Sequence, residues 1–138
     1  MPRILLVDDD ELLVKTLAVI LGRVGHTVLT AYDGEEGLAT AIEERPDLIL
    51  LDVMMPGMDG LQVCRMLRQD ESTRDIPVIM FTALNEADLR SRSGLLGGSQ
   101  SGDDLEGALL ADDYLTKPVL VEELLRRVNT LLWISTVI

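Results

Sequence analysis

The stretch LILLDVMMPG, residues 48–57, sets the reading of the whole chain. Four apolar residues run into Asp52, and Val53, two methionines and a proline follow. An unbroken apolar run of this length suits a strand buried on both faces of a parallel sheet. A carboxylate at the end of such a strand is costly if it stands unpaired. Either Asp52 caps a turn, since Asp is common where strands end, or partners for it arrive from elsewhere.

Outward from this strand, apolar runs and helical patterns alternate. RILLV, from Arg3, ends in DDDE, and a helix follows with Leu13, Leu17, Ile20 and Val24 at spacings of four, three and four. TVLTA is a second strand. In DGEEGLATAIEE, Asp33 with Glu36 three residues on is an Asp form of the capping box and starts a second helix. DGLQVCRMLRQD is a third helix, with Leu61, Cys64 and Leu67 inward and Asp59 and Gln62 as cap and partner. IPVIMFT is a fourth strand and DYLTK a short fifth. The last helix, from about Val121, carries Leu124, Val128 and Leu131 or Leu132 on one stripe. Strands alternating with helices imply right-handed crossovers and a parallel sheet covered on both faces. The predicted fold is α/β, a doubly wound (βα)5 domain.

The 138 residues suit one domain, 47% of them apolar and 26% charged. The single cysteine, Cys64, permits no intrachain disulfide and fits a reducing compartment. The first residues hold too short an apolar run for a signal peptide, and no segment approaches a membrane span, so the expected location is cytoplasmic. The net charge of −12, from 24 acidic and 12 basic residues, speaks against direct binding of this chain to nucleic acid. It also means that a phosphorylated ligand needs a local cation to approach an acidic site.

In doubly wound sheets the working groups gather at the carboxyl ends of the strands. Here those ends are Asp8 and Asp9, Asp52, Thr82 and Lys117. Two carboxylates ~5 Å apart at an effective dielectric of ~20 repel by on the order of 3 kcal/mol, and a divalent cation reverses that sign. The ligands are all hard oxygens, which favours Mg²⁺ over zinc. Taken alone, DDDE is equally well a solvated helix start, where acids are favoured by the helix dipole; the other three strand ends weaken that reading. A carboxylate nucleophile, a metal, a lysine and a hydroxyl are the parts phosphoryl transfer needs.

Taken together and in this order, VDDDE, LILLDVMMPGMDG, PVIMFTA and DDYLTKP resemble the receiver domain of two-component response regulators, over nearly the whole chain. The resemblance implies a flavodoxin-like sheet in the order 2-1-3-4-5. It implies Asp52 as phospho-acceptor and Asp9, Asp52 and the Met54 carbonyl as Mg²⁺ ligands, with Asp8 acting through metal-bound water. It implies that Lys117 contacts the phosphoryl oxygens and precedes a cis peptide at Pro118. Thr82 and Tyr114 match the switch pair. The phosphoryl donor would be a phosphohistidine on a sensor histidine kinase or phosphotransfer protein, and the chain would catalyse only its own phosphorylation and slow dephosphorylation, controlling an output domain or partner.

The sequence also departs from that pattern. Lys117 follows Thr82 by 35 positions, longer than the family's usual interval by roughly a dozen residues, a long excursion by ordinary loop standards. The extra chain, at about 91–110, holds five of the eleven glycines. Either EADLRSRSGLL or GDDLEGALL supplies the fourth helix. Leu110 stands where a helix-capping glycine is usual. The insertion predicts an altered output face and no conventional fourth-helix dimer, leaving other dimers open. Met54 and Leu84, two residues beyond the acceptor and the switch threonine, predict slow autodephosphorylation. His26 is expected in an exposed loop and Cys64 in the core. LLWI near the end is either packing or a cut linker at 133–138. Three rival readings stay open: a haloacid-dehalogenase-like phosphatase using Asp8 with Asp10, a flavin-binding module, and a receiver-like interaction module that is never phosphorylated. The flavin reading needs a hydroxyl- and glycine-rich loop after the first strand, where three aspartates stand.

Overall fold

The computed structural model describes residues 2–82 and 110–137. In chain order its elements are β1 (Arg3–Val7), α1 (Glu11–Arg23), β2 (Thr27–Ala31), α2 (Gly34–Glu44), β3 (Leu48–Asp52), α3 (Gly60–Gln69), β4 (Val78–Thr82), β5 (Asp113–Thr116) and a C-terminal helix (Val121–Val137). All neighbouring strands pair in parallel, in the order β2-β1-β3-β4-β5. The doubly wound flavodoxin-like arrangement expected from the sequence is present. Most of the insertion, and both segments proposed for the fourth helix apart from Leu110, lie outside the described residues.

The central position of β3 explains its uninterrupted apolar run. Every residue of β3 and β4 is buried, whereas the edge strands β2 and β5 are only partly so. Side chains alternate between two cores. Ile4, Leu6, Leu48, Leu50, Ile79 and Phe81 face α1 and the C-terminal helix, meeting Val14, Leu17, Leu21, Leu124 and Val128. Leu5, Val7, Ile49, Leu51, Val78 and Met80 face α2 and α3, meeting Ala41, Leu61, Cys64 and Leu67.

Three aspartates start the first three helices. Asp10, Asp33 and Asp59 accept from the amides of Leu13, Glu36 and Gln62 at 3.1, 2.7 and 2.9 Å. Such caps satisfy amides that have no partner within the helix. Glu36 reaches back to the Tyr32 amide at 3.3 Å, one residue before the cap.

Two sequence expectations need correction. The fully buried stripe of α1 is Val14, Leu17 and Leu21; of the expected face, Leu13 and Ile20 are partly buried against the same core, while Val24, at the C-cap, is 53% exposed. The helix is apolar around most of its girth, so spacing alone admits faces about one residue apart, and the cap at Asp10 fixes the true one. His26 is half-buried, not exposed. Gly25, at φ 100°, turns the chain so that the His26 amide donates to Leu21 O at 3.1 Å. Its Nδ1 is buried without a hydrogen-bond partner, and burial lowers its pKa.

Candidate functional site

The loops at the carboxyl ends of β1, β3 and β5 bring together groups distant in sequence. Asp8 and Asp52 are each only 3% exposed, and Asp9 beside them is open to solvent. One carboxylate oxygen from each of the three lies within 4.8 Å of the others. Lys117 Nζ reaches Asp8 Oδ2 at 2.8 Å and Asp52 Oδ1 at 3.3 Å. The Lys117–Pro118 peptide is cis.

Local folding fixes each group. The Asp10 amide donates to Asp8 Oδ1 at 3.0 Å, turning that carboxylate toward the sheet end. The Met54 amide lies 3.4 Å from Asp52 Oδ1, a long contact. Backbone bonds from Val53 N to Phe81 O, 2.9 Å, and from Lys117 N to Thr82 O, 2.7 Å, tie the loop after β3 and the exit of β5 to β4. Gly60, the first residue of α3, passes so close beneath Asp52 that a Cβ there would sit 2.2 Å from the Asp52 carbonyl oxygen. The sequence reading missed that constraint, although a glycine directly after a cap aspartate was its visible signal.

The electrostatics follow from burial and from crowding of like charge. Asp52 is raised to about 6, first by desolvation, then by the charge of Asp8, with Lys117 opposing both. Burial works against the Lys117 charge, but its contacts with Asp8 and Asp52 outweigh that and hold its pKa above the usual lysine value. Cys64, fully buried in the α3 core, is pushed up to about 11 by desolvation and is an inert packing residue.

The remaining site residues sit near this cluster in different ways. Thr82 is buried at the end of β4, in register with Thr116, and Tyr114 lies half-buried on β5 opposite Met80, against the α2–α3 core. Met54 is 45% exposed in the loop after Asp52. DDDE divides in two: Asp8 and Asp9 belong to the cluster, and Asp10 is the helix cap. The aspartate that the phosphatase reading places beside Asp8 is therefore engaged with the start of α1.

The sequence matches the response regulator receiver domain family over residues 4–100. The chain belongs to this family. Receivers are the phospho-acceptor switches of two-component systems, and they generally bind Mg²⁺ at an acidic pocket like the one formed here. Among curated relatives, the DNA-binding dual master transcriptional regulator RpaA of Synechocystis is 46% identical over 132 residues, which are 96% of this chain and 49% of RpaA. Protein PilH of Pseudomonas aeruginosa is 39% identical over 96% of this chain and 98% of its own length. The Vibrio cholerae chemotaxis protein CheY4 superposes with a TM-score of 0.77 at 28% identity, over 95% of this receiver and 98% of that chain. The receiver spans about half the length of RpaA and about a quarter of the response regulator PleD of Caulobacter vibrioides. No helix among the described residues is long and apolar enough to cross a membrane.

Proposed function

We propose that Asp52 is the phosphoryl acceptor of this receiver and that a histidine kinase or phosphotransfer protein is the donor. The observation that carries this reading is the junction of Asp8, Asp9 and Asp52 with a lysine that touches two of them. An Asp52 carboxylate oxygen attacks phosphorus, the bond to the donor's imidazole nitrogen breaks, and the electron pair leaves on that nitrogen, which takes up a proton. Asp52 must be ionised to attack, and Lys117 supplies a fixed positive charge for the phosphoryl oxygens. Asp8, Asp9, Asp52 and the Met54 carbonyl would hold Mg²⁺, whose charge relieves the crowding of the carboxylates and neutralises the transferred group.

Phosphorylation then biases a two-state element in which the Thr82 hydroxyl and the Tyr114 ring take part. The catalysis is confined to the chain's own phosphorylation and slow dephosphorylation. The domain is a single receiver, 1–138, with an insertion at about 91–110, and it acts on an unidentified output domain or protein. It works in the cytoplasm, and its charge of −12 speaks against direct nucleic-acid contact by this chain. The test is phosphorylation by a small acyl phosphate with Mg²⁺. Uptake should be stoichiometric, absent in Asp52→Asn and absent without the metal; uptake retained in Asp52→Asn would sink the assignment.

A further inference from the structure

The guanidinium of Arg68, in the last turn of α3, collects the chain at the opposite end of the sheet from the phosphorylation site. Its Nε donates to Leu110 O at 3.1 Å, Nη1 to Arg74 O and Ile76 O at 3.0 and 2.6 Å, and Nη2 to Asp112 Oδ2 at 2.8 Å. The same Asp112 oxygen accepts the Val78 amide at 2.8 Å, and the Asp112 amide donates to Val78 O at 2.9 Å. One largely buried side chain thus joins the end of α3, the entry to β4 and the entry to β5.

β5 needs such a fixture. It has four residues and, among the described residues, lies at the sheet edge and pairs only with β4. A slip of one residue would turn its side chains to the opposite face, and a slip of two would move Lys117 by roughly 6.6 Å, far outside reach of Asp8 and Asp52. Residues 83–109, longer than the usual connection, lead into it. The planar fork of arginine suits simultaneous contact with several carbonyls and a carboxylate, and α3, which carries it, is anchored in the core by Cys64 and Leu67.

We propose that Arg68 and Asp112 form a register pin for β5, so that Lys117 and Tyr114 stay aligned with the site whatever the inserted segment does. Arg68 is a positioning residue acting through β5, and its effect on phosphorylation rests on the reading of Lys117 given above. The test uses Arg68→Met, which keeps the apolar stem, and Asp112→Asn, which keeps an acceptor for Val78, with Arg68→Lys as partial rescue. In site-resolved hydrogen exchange, the β5 amides and Lys117 N–H should exchange faster by on the order of tenfold or more in the first two variants. The Val53 and Asp8 amides, on the β3 and β1 side, should change little. Phosphorylation by acetyl phosphate should fall on the order of tenfold to a hundredfold with no loss of Mg²⁺ affinity, because the metal-binding carboxylates hang on β1 and β3. Unchanged β5 exchange, or faster exchange spread evenly over the sheet with phosphorylation intact, overturns the pin. Failure of the parent chain to take up phosphate would refute the function and leave the exchange result to judge the pin.

Discussion

At the scale of single residues, the site stores electrostatic tension around Asp52. Burial, and then the charge of Asp8, raise the Asp52 carboxyl from an ordinary 3.8 to about 6. The folded state therefore holds that proton more tightly than the unfolded chain, so stability falls as pH rises across this window and levels off above it. The expected loss is about 2–3 kcal/mol. Asp52→Asn cannot ionise and should melt higher than the parent at neutral pH without divalent cation, the two converging near pH 4; thermal melts in chelator check this. Lys117→Ala should slow phosphorylation on the order of a hundredfold, yet tighten Mg²⁺ binding, because a competing cation has left the carboxylates; a fluorescence or calorimetric titration measures the second effect. Met54 is 45% exposed and close to the acceptor, and its apolar side chain offers no group to orient a hydrolytic water. Met54→Asn should shorten the acyl phosphate lifetime, as should Leu84→Glu, and equal decay rates in both variants and the parent would argue against shielding.

At the scale of elements, the packing of α3 against the end of β3 couples a helix start to the acceptor. Gly60→Ala would drive a methyl group into the backbone of Asp52 and Val53. The expected cost is roughly 1–3 kcal/mol, with weaker Mg²⁺ binding because Asp52 is displaced. Asp33→Ala, which removes the cap of α2, should cost about 1 kcal/mol and leave Mg²⁺ binding unchanged, because Asp33 is not one of the clustered carboxylates. The strands β1, β3 and β4 were legible because each is a short apolar run ended by Asp or Thr, and the helix starts because three aspartates stand at cap positions. The facing of α1 was not, since Leu12 and Val19 make it apolar also on the side away from Leu13, Val14, Leu17, Ile20 and Leu21. Nor was the burial of His26, which follows from a glycine turn and not from any hydrophobic period.

At the scale of the whole molecule, the site exists only because parallel strands carry their carboxyl ends to one edge. The composition of those ends was readable: Asp8, Asp9, Asp52 and Lys117 were singled out from sequence, and the fold brings all four into contact range. What the sequence could not supply was the division of DDDE between site and helix cap, because the acids are chemically alike and only geometry separates them. The joining of Arg68 to Leu110 and Asp112, across 42 and 44 positions, was equally hidden, since no local pattern marks a long-range arginine fork. The central claim is that this assembly places a phosphoryl group on Asp52. The most direct measurement is the intact mass of the chain after incubation with acetyl phosphate and Mg²⁺, followed by fragmentation of the borohydride-reduced product to locate the modified residue. One phosphoryl group at Asp52, lost on chelation and absent in Asp52→Asn, is the result expected; modification at Asp8, or none under any donor condition, would contradict the account.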